Sequence, residues 1–197
     1  MALSDQQFID LISEYKDEFF RYVYRNVWNE SVAEDVFSSA TMVAWEKRHN
    51  FREGSNFRAW VYKILTNKIY VANREIKRNS IDLESIDESQ FAIDQKAEEQ
   101  ALNDPENFFA QLGDELNEAL RKVSTAERSC LLLFSIEKYS YKQISEILEM
   151  PVGTVMTHLA RGRKKLRRLL VNHAKSEGIL KDNSKYIQKL ERRSDNA

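Results

Sequence analysis

Two prolines and five glycines are the only strong backbone breakers in these 197 residues. A strand-and-turn architecture needs turn residues about every 8–12 positions, and this chain does not supply them. Leu, Ile, Glu, Lys and Arg dominate instead, and these residues lose little conformational freedom in a helix. The chain is therefore expected to be all-α. Hydrophobic residues make up 42% of it, enough to build a core, and charged residues 31%, enough to solvate a surface.

Helix starts can be located from capping signals. Ser4 with Gln7, Ser124 with Glu127 and Ser140 with Gln143 each read as a capping box. After the first, Phe8, Leu11, Ile12, Tyr15, Phe19 and Val23 recur at helical spacing. A second helix should follow Asn29, with Val36, Ala40, Val43 and Ala44 inward and Glu34 and Asp35 outward. Gly54, Ser55 and Asn56 mark a turn, and a third helix should run from about Phe57 to Lys77. Residues 3–79 thus read as one helical domain and 80–107 as an acidic linker, with a helical piece around 94–101. Periodicity returns at Phe108, Leu112, Leu116, Leu120 and Val123, so residues 108–172 read as a second domain and 173–197 as a tail. Pro151, after the turn Glu149-Met150, suits the first position of the last long helix, where its missing N–H costs nothing.

The net charge of -1 conceals a sorting of charges along the chain. Between Arg52 and Arg78 seven bases face two acids, and between Met150 and Ser176 seven bases face none. Between them, from Asp82 to Glu118, twelve acids face Lys96 alone. Basic blocks attract phosphates, whereas an acidic tract repels or imitates them.

Several function classes are disfavoured. There is no glycine-rich phosphate loop, nucleophile elbow or His/Cys ligand cluster, so neither an enzyme, a metal site nor a cofactor is expected. Cys130 lies in an apolar helical run and reads as a packed thiol. A lone cysteine suits a reducing cytoplasm, and no signal peptide or membrane-spanning stretch is recognisable.

On a helical wheel, Val152, Val155, Leu159, Leu166 and Leu170 of the last helix fall on one side. Thr154, Thr157, Arg161, Lys164, Lys165 and Arg168 fall on the other. Following a short capped helix and a tight turn, this is the pattern of a helix-turn-helix whose second helix enters a DNA groove. Thr157, His158 and Arg161 are then the base-reading candidates, and Lys164, Lys165, Arg167 and Arg168 the phosphate contacts. Met156 and Arg163 fall nearer the apolar side; packing is expected for Met156, and an acid of a neighbouring helix for Arg163.

The run VSTAERSCLLLFSIEKYSYKQISEILEMPVGTVMTHLARGRKKLRRLL resembles region 4 of bacterial sigma factors of the extracytoplasmic-function (ECF) group of the sigma-70 family. AEDVFSSATMVAW followed by FREGSNFRAWVYKILTNK resembles region 2 of the same group. The resemblance implies a promoter-specificity subunit that binds the clamp helices and flap of core RNA polymerase and recognises promoter DNA. Region 4 would read the -35 element. Region 2 would melt and read the -10 element through Phe51, Arg52, Asn56, Phe57, Arg58, Lys63, Asn67 and Lys68, and Glu34, Asp35, Ser38 and Ser39 would face the polymerase. Melting needs aromatic platforms and backbone-holding bases; Phe51, beside the glycine-containing loop, is expected to be more exposed than Trp45, Trp60 or Tyr62, which suit a core. The acidic linker would pass through the RNA exit path, and an anti-sigma partner is left open. Two departures stand out: Ser38-Ser39 replaces a usual Gln-Glu pair, and Met156-Thr157-His158 replaces a more basic, serine-containing run. The alternatives are a helix-turn-helix regulator that binds operators without polymerase and a helical adaptor whose nucleic-acid surfaces have decayed.

Overall fold

In the computed structural model the described residues are 3–27, 29–52, 54–79 and 113–176. Among them the regular structure is helical and no strand occurs: α1 Asp5–Val27, α2 Glu30–Lys47 with a 3-10 turn at Arg48–Asn50, α3 Phe57–Asn79, α4 Gly113–Arg121, α5 Thr125–Ser135, α6 Tyr141–Leu148 and α7 Val152–Ser176. No helix among the described residues is long and apolar enough to cross a membrane. The sequence-based linker at 80–107 and most of the tail at 173–197 lie outside the described residues.

All three capping boxes form. Ser4 Oγ accepts from the Gln7 N–H at 3.2 Å, while Gln7 Oε1 accepts from the Ser4 N–H at 3.0 Å. Ser124 with Glu127 and Ser140 with Gln143 make the same reciprocal pair at the starts of α5 and α6. Asn29 caps α2 by accepting from the Val32 N–H. Each box satisfies donors that a helix start otherwise leaves unpaired.

By their contacts the described residues fall into two units: those within 3–79 with 123–162, and those within 113–122 with 163–176. Within the first unit, α5 and α6 pack against α1 and α3. The core of the first unit includes Phe19, Tyr22, Val23, Tyr62, Leu65 and Ile69 from α1 and α3, with Leu133 and Ile144 from α5 and α6. A buried polar seam runs through it. Arg128 donates to the Asn26 carbonyl at 2.6 Å and to the Val123 carbonyl at 3.3 Å, Ser129 donates to Asn26 Oδ1, and Asn73 donates to both the Asn26 carbonyl and Thr125 Oγ1. Burial lowers the Arg128 pKa to about 10, still high enough to keep the guanidinium charged at neutral pH. A buried charge of this kind is tolerated only with such partners. Cys130 is fully buried, and burial pushes its thiol up to about 12, which suits packing rather than nucleophilic chemistry. In the second unit Leu116, Ala119 and Leu120 of α4 are buried, as are Leu166 and Leu170 on the later turns of α7.

Candidate nucleic-acid interface

The helix-turn-helix is α6, a three-residue turn and α7. Ile144 and Ile147 anchor α6. Glu149 closes that helix in the left-handed region at φ 52°, and its N–H bonds the Ser145 carbonyl. Such a conformation usually selects glycine or asparagine. Ser145 Oγ donates to the Met150 carbonyl at 2.6 Å, and the Pro151 carbonyl accepts from the N–H groups of Thr154 and Val155. Pro151 thus stands just ahead of α7 and launches it.

Val155 and Leu159 are buried, and Gly162 lies so close to α5 that an added Cβ would come within 2.8 Å of Leu131 Cδ1. That contact fixes which face of α7 turns outward. Thr157, Arg161 and Lys164 are exposed; Thr154, His158, Lys165, Arg167 and Arg168 are half-buried, as is Arg163. Thr157 Oγ1 donates back to the Gly153 carbonyl at 2.8 Å. His158 Nδ1 is buried and has no hydrogen-bond partner among the described residues.

Two residues depart from the wheel. Val152, assigned to the packed side, is 38% exposed, and Met156, expected to pack, is 51% exposed. The wheel treats a helix as endlessly flanked by its neighbours. Val152 is the first residue of α7, and Met156 lies about 80° from the mean direction of Val155 and Leu159 at about 100° per residue, on the margin of the packed stripe.

The aromatic and basic stretch at 51–68 is built differently. Phe51 was expected to be exposed but is only 8% so, with its ring centroid 5.8 Å from that of Phe57 and 5.4 Å from that of Trp60. Phe57 is also buried, edge-on to Phe8. These rings support the loop from beneath, because their edge-to-face contacts and burial favour the core over solvent. The loop carries the polar groups: Arg52, Ser55 and Asn56 are exposed, Gly54 takes φ 82°, and Asn56 Oδ1 caps α3 by accepting from the Ala59 N–H.

Along α3, Asn67 is exposed and Lys68 half-buried, while Arg58 and Lys63 are engaged internally. Arg58 donates through Nε and Nη2 to Glu18 Oε1 at 2.9 and 2.6 Å and reaches Glu137 Oε2 at 3.4 Å. Tyr62 donates to the same Glu18 oxygen at 2.7 Å. The Arg58 guanidinium also lies within 6 Å of the Tyr15 and Tyr139 ring centres. Burial works against its charge, but Glu18 outweighs burial and raises its pKa above the usual value. Burial, and after it the nearby Glu18 charge, push Glu137 up to about 7, with the Arg58 charge acting against them. Lys63 pairs with Glu149, the left-handed residue of the helix-turn-helix turn, at 2.8 Å. Sequence reading missed these pairings because the acids come from other helices.

On α2, Glu34, Asp35 and Ser38 are exposed and Ser39 half-buried. Beside them Ile9 and Met42, 49% and 66% exposed, help to line an apolar groove of about 380 Å³ between α1 and α2 that also includes Phe8, Ile12 and Trp45.

Residues 11–79 match the family model described as sigma-70 region 2, and residues 113–166 match sigma-70, region 4. The ECF RNA polymerase sigma factor SigW of Bacillus subtilis is 30% identical over 165 residues, covering 83% of this chain and 88% of that protein. The chain belongs to the ECF group of the sigma-70 family. The ECF RNA polymerase sigma-E factor of Escherichia coli K12 is 28% identical over 160 residues, covering 78% of this chain and 81% of that protein. In fold, this sigma factor is similar to RpoE of Bartonella quintana, solved in complex with the anti-sigma factor NepR, with a TM-score of 0.63 and 22% identity over 84% of this chain and 97% of that one. It is also similar to CnrH, solved with the cytosolic domain of CnrY, with a TM-score of 0.58 and 21% identity over 86% of this chain and 90% of that one. A sigma-70 factor is a promoter-specificity subunit of RNA polymerase, and that is the function of this chain.

Proposed function

We propose that α7 reads the -35 element of duplex promoter DNA, with Thr154, Thr157, His158 and Arg161 toward the bases. Lys164, Lys165, Arg167 and Arg168 hold phosphates. The observation that carries this reading is the outward face of α7, where Arg161 and Lys164 are exposed on a helix that runs from Val152 to Ser176 without an acid. Bases placed this way neutralise phosphates and release counterions, so binding should weaken steeply with salt.

At the -10 element the working contacts are the exposed Arg52, Asn56 and Asn67, with Lys68 beside them. Phe51 and Phe57 act from below, holding the loop in shape. Arg58 and Lys63 reach DNA only by exchanging Glu18, Glu137 and Glu149 for phosphates, so the described packing of α3 against α5 and α6 represents a state at rest. Glu34, Asp35, Ser38 and Ser39 form the polymerase-facing patch, and the two serines make it less polar than the Gln-Glu pair usual in the family. An anti-sigma protein is the regulator this reading admits, since the similar RpoE of Bartonella quintana is solved in complex with one. The role is non-catalytic.

The test is run-off transcription with core RNA polymerase across a promoter library. Initiation that depends on this protein and on -35 and -10 sequences is expected. DNA binding without core-dependent initiation would mean an ordinary operator-binding regulator and would overturn the proposal.

A further inference from the structure

The first two turns of α7 carry no Lys, Arg, Asp or Glu. From Val152 to Ala160 the sequence is VGTVMTHLA, and the bases begin only at Arg161. Val155 and Leu159 of this stretch are buried, but Val152 and Met156 are not. They stand four residues apart, which places them on one side of the helix as neighbours. Exposed Thr157 has committed its hydroxyl proton to the Gly153 carbonyl, which leaves its methyl and an oxygen lone pair for an outside partner. Exposed Ala160 adds another methyl. The part of a recognition helix that goes deepest into the groove is its N-terminal half, and here that half presents mostly methyl and thioether groups.

The major groove has one matching apolar feature, the C5-methyl of thymine. A methionine suits such a contact because its thioether is flexible and polarisable and fills irregular gaps. The bases that follow on the same helix from Arg161 to Arg168 bring this end of α7 to a phosphate-lined groove and make DNA, rather than an apolar protein, its occupant. We infer that Met156, with Val152 beside it, recognises thymine methyl groups in the -35 element and sets a preference for thymine there. The inference rests on the promoter-reading function proposed above and adds the specificity of its reading helix.

The test uses the full chain with core RNA polymerase. Promoters are selected by run-off transcription from a library randomised at -35, and each -35 thymidine of the best promoter is then replaced by deoxyuridine, which removes the methyl and nothing else. At one or two positions the replacement should lower initiation about three- to fivefold, as expected for burying one methyl group. Met156→Ala should show a similar loss on the thymine promoter and no further loss on its deoxyuridine version; Val152→Ala should show the smaller of the two effects. Selected promoters without a -35 thymine, or wild-type initiation indifferent to every replacement, would overturn the inference. So would Met156→Ala that remains fully sensitive to deoxyuridine, or that lowers initiation equally on all -35 sequences, since the side chain would then be touching protein. A complete lack of core-dependent initiation fails the promoter reading itself, and this inference falls with it.

Discussion

Two helices of this sigma factor carry comparable basic residues, and their surroundings put those residues to different use. On α7, Arg161 and Lys164 are exposed, and among the described residues neither makes an ion pair. On α3, Arg58 is clamped by Glu18 and Glu137 and Lys63 is paired with Glu149. A base that finds a carboxylate within the fold becomes part of the scaffold; a base that finds none keeps its charge available for phosphate. Helix composition is therefore a poor guide to which basic helix is ready to bind, and the distribution of acids on neighbouring helices is the better one.

The contrast can be broken most sharply at Arg58. Arg58→Ala leaves Glu18 and Glu137 facing each other without their shared cation, and it should lower stability by about 2–3 kcal/mol, the cost of stranding part-buried charged acceptors; urea denaturation of the full chain measures it. A loss below about 0.5 kcal/mol, the range of ordinary surface substitutions, would make Arg58 as available as Arg161. The converse test is on α7. Arg161→Ala should leave stability nearly unchanged and cost about 1–3 kcal/mol of discrimination at one -35 position, whereas Lys164→Ala should weaken all sequences alike and reduce the salt slope by about one unit. Equal effects of the two changes on sequence preference would erase the division between reading and gripping.

Acidity sharpens the comparison further. Glu137 has a folded pKa of about 7 against an ordinary 4.5, so between those values the folded state binds a proton that the unfolded state has released. Stability from this group is present at and below about pH 4.5 and is lost as pH rises through about 7. Other carboxyls titrate in the same range, so the measurement is the difference between wild type and Glu137→Gln, which should diminish from pH 7 toward pH 5 if the proton sits on Glu137. A difference independent of pH would place the proton elsewhere in the cluster. The smallest effect belongs to Lys63→Ala: both partners of that pair are well exposed, and a loss of no more than about 1 kcal/mol is expected in thermal unfolding.

Much of this was legible in the amino acids. The three capping boxes marked helix starts correctly because a cap is a contract between residues three positions apart, and no distant element is needed to make it. The outward turn of Arg161 and Lys164 was readable for a similar reason, since Val155 and Leu159 repeat within the same helix. The burial of Phe51 is not legible locally: a glycine-containing loop suggests exposure, while burial depends on Phe57 and Trp60 and, through Phe57, on Phe8 from another helix. Met156, 51% exposed, stands at the margin of the packed stripe, where its angle on a wheel does not decide burial.

By itself the sequence determined the helices, their caps, the acid-free basic face of α7 and, through its resemblance, the family. Each depends on neighbours within about one or two helical turns or on a contiguous motif. Only the tertiary structure decided which bases are already paired, since Glu18 and Glu137 lie 40 and 79 residues from Arg58 along the chain. It alone also showed that Glu149, left-handed at the turn of the reading unit, holds Lys63. Electrostatic pairing acts over a few ångströms of space whatever the separation in sequence, so the availability of a charge is a property of the folded chain.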